Sequence, residues 1–162
     1  MGMDRVDQIL HHRLFINYLD KIGTAEKGRK YCRHDMSHFL DVARIARIIN
    51  QEEALGFEPE WIYAAALLHD IGRNMQYQEG IPHEKASAMI APQILRDCDF
   101  REEETELIAE AISRHRDVQT GTAGDFGALL YRADKASRVC YSCSQEAGCN
   151  WDREKKNLKI KY

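Results

Sequence analysis

Residues 59–73 read Pro59-Glu60-Trp61-Ile62-Tyr63-Ala64-Ala65-Ala66-Leu67-Leu68-His69-Asp70-Ile71-Gly72-Arg73, an apolar run that ends in an imidazole and a carboxylate. Pro59 can open a helix, because its missing N–H costs nothing in the first turn, and Gly72 can close it in the left-handed conformation. The longest uninterrupted apolar stretch, residues 62–68, is far short of the roughly 20 residues that cross a bilayer, so the run predicts a buried helix. His69-Asp70 then falls at the helix's carboxyl end, where the macrodipole and unpaired carbonyls favour a cation. Imidazole and carboxylate are both metal ligands. Adjacent helical residues point about 100° apart, so both reach a metal only if it lies beside the terminal turn, with the carboxylate free to bridge two ions.

Helical spacing continues on either side. Ile9, Leu10, Leu14 and Ile16 follow mostly three- and four-residue steps and predict one amphipathic helix over residues 6–19. Asp35 is the expected N-cap of a second helix, whose stripe runs Val42, Ile45, Ile49. Pro82 starts a fourth, and Pro92 inside the same periodic segment predicts a kink or split. Asp99 followed by Glu102 reads as the capping pair of a fifth, with Ile108, Ala111, Ile112 and His115 on its inner stripe. Asp125 caps a sixth, in which Phe126, Leu130 and Asp134 are successive four-residue steps. The glycine-rich residues 119–124 form the clearest loop. No repeat, low-complexity tract or Pro/Gly-rich linker divides the chain. The reading is an all-α fold of about six or more helices.

A chain of 162 residues buries about 69% of its unfolded surface, enough for one core and too little for two. The 44% hydrophobic and 30% charged composition excludes a disordered chain. A net charge of −3 and a pI near 6.2 argue against a domain that holds nucleic acid mainly through its phosphates, while leaving a nucleotide as a partner. The N-terminus has no apolar signal region, and Val6 stands where a myristoylation site wants Ser or Thr, so a cytoplasmic protein with no membrane partner is expected. Five cysteines, an odd number, point to reduced thiols rather than a disulfide framework.

Three polar residues sit on faces that ought to be buried: His38 one turn before Val42, His115 after Ile108 and Ile112, and Asp134 after Phe126 and Leu130. An isolated buried carboxylate must be neutralised, hydrogen-bonded, paired or metal-bound. Taken singly, each histidine also reads as a satisfied core residue, and Asp134 as a partner of Arg132 or Arg138. Taken with His69-Asp70, they read as groups from separate helices converging in a bundle core, a recurrent way to build metal sites.

The order His38, His69-Asp70, Asp134, with His38 followed by Val42-Ala43 and the dyad set in Leu67-Leu68-His69-Asp70-Ile71-Gly72, resembles the HD-domain metal-dependent phosphohydrolases over about residues 30–140. The resemblance implies a single HD-type domain across residues 1–162, with 140–162 as a cysteine-containing segment and basic tail. It implies that His38, His69, Asp70 and Asp134 ligate a first metal. His83, after Pro82, and His115, within Ile112-Ser113-Arg114-His115, look like the added ligands of the family's two-metal branch, in which Asp70 bridges the ions. The plain alternative for His83 is a solvated residue at a helix start. Arg73 stands where related enzymes often carry Lys or Arg, which makes it a phosphate-binding residue beside Asp70 in the catalytic set or, equally, a surface arginine covering the helix end. Lys135 and Arg138 are weaker candidates to face substrate.

Such ligands suit Fe, Mn, Co, Ni or Zn, without choosing among them, and exclude an oxygen-only Mg or Ca cage. The implied activity is hydrolysis of a nucleotide phosphoester or phosphoanhydride by metal-activated hydroxide. It needs no protein nucleophile, in keeping with the lack of a persuasive Ser-His-Asp or Cys-His set or a P-loop. The motif run from Ile81-Pro82-His83 to Tyr131-Arg132-Ala133-Asp134 is most similar to the symmetrical diadenosine tetraphosphate hydrolases, although the sequence departs from them after Asp134. The Gly-Tyr-Pro motif of cyclic dinucleotide phosphodiesterases is missing. The rival reading is a metal-stabilised nucleotide-binding or regulatory domain without turnover.

Cys140, Cys143 and Cys149 form a CxxC with a third cysteine five intervening residues on, one thiol short of a closed zinc site unless Cys32, Cys98 or a histidine joins them. An iron–sulfur cluster follows the same logic, and unpaired structural thiols are the simpler reading. Leu158, Ile160 and Tyr162 alternate in the lysine-rich tail as in a short edge strand, against the plainer reading of a solvated tail. A strand pairing between subunits, and so a homodimer, is left open.

Overall fold

The structure is a computed structural model that describes residues 2–117 and 124–162. Its described residues form eight α-helices and two short 3-10 turns, with no strand: α1 (Asp4–His11), α2 (Arg13–Ala25), α3 (Met36–Glu52), α4 (Pro59–Leu68), α5 (Arg73–Glu79), α6 (His83–Asp97), α7 (Glu102–Arg114) and α8 (Phe126–Ala136). The predicted loop at 119–124 lies almost wholly outside the described residues. The tail expected as an edge strand is irregular.

Helix α4 organises the rest. It is apolar on every face, and Ala64, Ala65 and Ala66 are fully buried, so α1, α3, α6, α7 and α8 can all pack against its backbone. Phe39, Val42 and Ile49 of α3, Ile94 and Leu95 of α6, Ile108 and Ile112 of α7, and Leu129 and Leu130 of α8 complete one core around it. No helix of the described residues is long and apolar enough to cross a membrane.

Several caps follow the expected residue chemistry. Asp35 accepts from the backbone N–H of His38 at 3.1 Å, and Asp125 from that of Ala128 at 2.8 Å. Elsewhere the structure corrects the reading. The predicted helix over 6–19 is two helices, because His12 is extended (φ −70°, ψ 129°) and its Nδ1 accepts from the N–H of Leu14, starting α2 afresh. Asp99 caps nothing: it is left-handed (φ 62°), and α7 starts at Arg101, whose N–H donates to Glu104 at 2.8 Å. Helix α6 runs unbroken through Pro92. Met89 is exposed on one side of this helix, while Ala91, Ile94 and Leu95 bury the other against the core.

Gly72 is needed for a different reason than the one expected. Its φ is −85°, open to any residue. A Cβ there would lie 2.4 Å from the backbone N of Ser87 and 2.6 Å from the Cβ of Ala86, and its own N–H donates to Ser87 Oγ at 2.9 Å. The glycine therefore lets the turn after His69-Asp70 press against α6, which sets the distance from Asp70 to His83.

Candidate metal centre

One end of the bundle collects the polar residues. His38 lies in the first turn of α3, His69 caps the carboxyl end of α4 with Asp70 after it, His83 opens α6, His115 caps the carboxyl end of α7, and Asp134 lies near the end of α8. All six are buried, Asp70 to 1% exposure and His69 to 0%. Five of the chain's seven histidines meet here, His34 being the fifth.

Asp70 stands at the middle, with its two oxygens facing different groups. Oδ2 lies 3.3 Å from His69 Nε2 and 3.5 Å from His38 Nε2. Oδ1 lies 3.1 Å from His83 Nε2 and 3.7 Å from His115 Nε2. Asp134 Oδ1 closes the first group at 3.4 Å from His38 and 3.7 Å from His69. Ligand atoms within 4.8 Å of one another occur in the sets His38, His69, Asp70, then His69, His115, Asp134, then Asp70, His83, His115. These sets share members, so the cluster is continuous.

Each imidazole is aimed by its far nitrogen. Nδ1 of His69 and of His115 each sits 2.6 Å from the carbonyl three residues back, Ala66 and Ile112, so the two helix ends orient their rings by the same device. Nδ1 of His83 meets Gln76 Oε1 at 2.6 Å, and Nδ1 of His38 meets Ser137 Oγ at 3.2 Å. A carbonyl at Nδ1 requires the proton there, so in the neutral ring the lone pair is on Nε2 and points inward, the arrangement that metal-ligating histidines show.

The charge balance is tight. Burial alone would raise Asp70, but the neighbouring His69 and Arg73 charges, with hydrogen bonds from His115 and His38, hold it well below the usual carboxylate range. Burial is likewise outweighed at Asp134 by His38, His69 and Lys135. Burial would lower His69, yet Asp70 and Asp134 hold its imidazolium up to about 9. Burial brings His83 down to about 2, helped by Arg73 and opposed by Asp70. Even so, His69 Nε2 and Asp70 Oδ2 are buried with no hydrogen-bond partner. With His69 neutral, these two ligand atoms face each other at 3.3 Å, which is costly in a folded protein unless a proton or a metal cation joins them. The donor set fits a divalent transition ion, and a cation entering here would displace the His69 proton.

Arg73 donates from Nε to Asp70 Oδ1 at 3.1 Å and is 19% exposed on the cleft side. Lys135 pairs with Asp134 at 2.9 Å, and Arg138 reaches His38 Nε2 at 3.3 Å. The alternative partners for Asp134 do not hold: Arg132 pairs with Glu53 at the surface.

His34 was not among the residues read from the sequence. It is 3% exposed, and its Nε2 lies 3.8 Å from Asp70 Oδ2. Glu26 accepts from its backbone N–H at 2.8 Å and meets Nδ1 at 2.5 Å, while Tyr77 donates to Glu26 at 2.6 Å. Against the effect of burial, those hydrogen bonds bring Glu26 down to about 2. His34 precedes the cap Asp35 and so belongs to no helical stripe; its spacing from His38 was the available signal.

A cleft of about 840 Å³ opens from His34, His38 and Asp134 toward the cysteine segment, with Arg33, Arg73 and Trp151 on its walls. That volume lies in the range of small-molecule sites.

The HD domain family model matches residues 36–146, the stretch that holds all six predicted centre residues from His38 to Asp134. An "Uncharacterized protein" of Clostridium beijerinckii is 50% identical over 160 residues, which cover 99% of this chain and 100% of that protein. Ribonuclease Y of Clostridium kluyveri is 27% identical over 147 residues, 82% of this chain and 28% of the larger protein. Ribonuclease Y of Clostridium botulinum strain Hall is 27% identical over 104 residues, 64% of this chain and 18% of that protein. No solved structure matches the chain. With the family model covering most of its length and its histidines and aspartates gathered at one end of an all-helical bundle, the chain belongs to the HD-domain family.

Proposed function

We propose that the protein is a metal-dependent phosphohydrolase that uses two divalent ions bridged by Asp70 to cleave a nucleotide phosphoester or phosphoanhydride. The observation that carries this reading is the division of Asp70: one oxygen faces His38 and His69, the other His83 and His115. A carboxylate that belongs to two imidazole sets suits a pair of ions better than one.

Two such ions supply activation of water and neutralisation of phosphoryl oxygens in an in-line displacement. The chain does the rest. His38, His69 and Asp134 hold one position, and His83 and His115 hold the other. Arg73, fixed by Asp70 at the cleft wall, presents its remaining guanidinium N–H groups to phosphate. Lys135 and Arg138 add positive charge at the mouth, and Trp151 and Tyr31 offer faces on which a base can stack.

The cleft's length beyond the centre and its basic walls favour a substrate with several phosphates, and a symmetrical dinucleoside tetraphosphate, cut to nucleoside diphosphates, heads the list. RNA is the second reading, favoured by the similarity to proteins named Ribonuclease Y. Metal-loaded protein incubated with dinucleoside polyphosphates, nucleoside mono-, di- and triphosphates and a short RNA tests both. The expected result is release of nucleoside diphosphate from the tetraphosphate. No product from any substrate at full occupancy with each divalent ion would leave a binding domain instead.

A further inference from the structure

Four of the chain's five cysteines, Cys32, Cys140, Cys143 and Cys149, line the same cleft as the histidine–aspartate centre. Helix α8 ends at Ala136, and after Ser137 no residue is buried. Among the described residues of this stretch, Tyr162 alone packs on the hydrophobic core. Twenty-five residues, 138–162, thus hold their course with two 3-10 turns and almost no apolar burial. Segments of this kind, too small to build a core, are ordinarily held by covalent or metal staples.

The thiols lie where a staple would act. Cys140 and Cys143 bracket the first 3-10 turn, in which the N–H of Cys143 donates to the carbonyl of Cys140 at 3.2 Å, and Cys149 follows the second, donating to Glu146 at 3.2 Å. Cys32, more than a hundred residues earlier, lines the same cleft as these three. The two stretches are tied beside the thiols: Tyr31 donates from its hydroxyl to the carbonyl of Gly148 at 2.8 Å, and Arg138 donates to the carbonyl of Arg33 at 2.9 Å. Each bond joins an immediate neighbour of one cysteine-bearing turn to a neighbour of the other.

Cys98 serves as the contrast. It is 1% exposed in the hydrophobic core at the end of α6, and burial, with Asp97 and Asp99 nearby, pushes its thiol up to about 11. It is a packing residue and not a ligand. The other four are half-buried, and basic residues stand around them, with Arg29, Arg33, Arg138 and Lys156 on the same walls. Lys156 Nζ is anchored on Glu146 at 2.8 and 2.9 Å on the wall that Cys140 and Cys149 also line. Four thiolates around a metal leave a net negative centre, and this ring of cations would balance it.

We infer that Cys32, Cys140, Cys143 and Cys149 form a four-thiolate site for a thiophilic metal, a single zinc ion or an iron–sulfur cluster, that staples the 138–162 segment to the loop before α3. Both sources share this tetrahedral sulfur donor set. Among the described residues no three of these sulfurs lie within 4.8 Å of one another. A zinc ion with bonds of roughly 2.3 Å would draw them closer by side-chain rotation, whereas a cluster spreads them over separate irons. The inference stands apart from the hydrolase reading, since none of the four cysteines belongs to the histidine–aspartate centre.

The test uses the full chain purified anaerobically, as wild type and as Cys32→Ser, Cys143→Ser, Cys98→Ser and Asp70→Asn, with metal and acid-labile sulfide analysis and thiolate-to-metal absorption. The expected result, read in Asp70→Asn so that metal of the histidine–aspartate centre does not count, is one zinc per chain without sulfide, or iron with matching sulfide and visible absorption. The thiolate-to-metal absorption should persist in Cys98→Ser and Asp70→Asn and disappear in Cys32→Ser and Cys143→Ser. In the wild type, alkylation should spare these four thiols until a chelator is added, a readout that survives if a variant fails to fold. Four thiols reactive without chelator, four thiols paired in disulfides, thiolate-to-metal absorption retained in Cys32→Ser, or its equal loss in Cys98→Ser would each overturn the assignment.

Discussion

Two buried ionic clusters in this molecule look alike in composition and differ in how well they are paired. On the α1 side, Glu104 accepts from Arg5 at 2.8 Å, from Trp61 Nε1 at 2.9 Å and from the Arg101 N–H at 2.8 Å, while Arg5 also binds Glu60 at 2.8 Å and lies 4.2 Å over the Phe100 ring. Every charge there is answered by the chain itself. At the other cluster Arg73 and Lys135 answer Asp70 and Asp134, yet His69 Nε2 and Asp70 Oδ2 have no hydrogen-bond partner. A buried charge network that closes on itself holds helices together. One that leaves converging ligand atoms open is shaped for something the chain does not contain.

The largest expected effect breaks the open cluster. Asp70→Asn keeps the shape and removes the charge shared by both imidazole sets, so bound metal should be lost and hydrolysis should fall by at least about 10³-fold, roughly 4 kcal/mol of barrier. Metal analysis and kcat on the same preparation check it, with circular dichroism showing the helices retained. Undiminished turnover would remove Asp70 from the chemistry.

The matching change in the closed cluster should have the opposite profile. Glu104→Gln leaves Arg5 without its buried counter-charge, which should cost about 2–3 kcal/mol of stability, or roughly 4–12 °C in Tm, with metal content unchanged. The pH dependence follows. Despite burial, hydrogen bonds from Arg5 and Trp61 bring Glu104 down to about 2, below its ordinary value of 4.5. The unfolded state therefore binds more protons between these two values, so this contribution is whole above pH 4.5 and drains away as pH falls toward 2. Denaturant titrations should show a steeper acid loss in the wild type than in Glu104→Gln; parallel curves would deny the pairing its role.

The contrast also marks what the sequence could show. His38, His115 and Asp134 were legible because each interrupts an apolar helical stripe, and α4 was legible because it is apolar all round. His34 was not, since it precedes the Asp35 cap and no periodicity places it, and its partner Glu26 closes a different helix. Glu104 was missed as well: the sequence points to a capping pair two residues early, at Asp99 and Glu102, because a left-handed Asp99 after α6 cannot be told from an N-cap by residue type. Gly72 was singled out for its backbone freedom, while the true constraint is the approach of Ser87 and Ala86, a contact fifteen residues away that no local pattern encodes.

A smaller effect sharpens the role of Arg73. Its Nε is engaged by Asp70, so the side chain is held in place while its other nitrogens face the cleft. Arg73→Lys keeps the charge and loses the planar fork, and should lower kcat/KM by about 10- to 100-fold with metal content retained. If metal is lost as well, Arg73 acts by holding Asp70, and the fork has no part in binding phosphate.

The smallest effect separates an unpaired atom from an open site. Thr105 Oγ1, beside Glu104, is also buried without a partner. If bare polarity alone marked function, Thr105 would rank with His69 and Asp70. It is a single neutral hydroxyl with no second ligand atom converging on it, and Thr105 belongs to none of the metal-compatible sets. Thr105→Val, nearly the same shape without the hydroxyl, relieves an unmet desolvation cost and should stabilise the fold by about 1 kcal/mol while leaving metal content and turnover alone. Stabilisation here, set against loss of metal at Asp70, would show that convergence of ligand atoms, and not the mere lack of a hydrogen bond, is what distinguishes the centre; a Thr105→Val protein with impaired turnover would show that the division between the two clusters has been drawn in the wrong place.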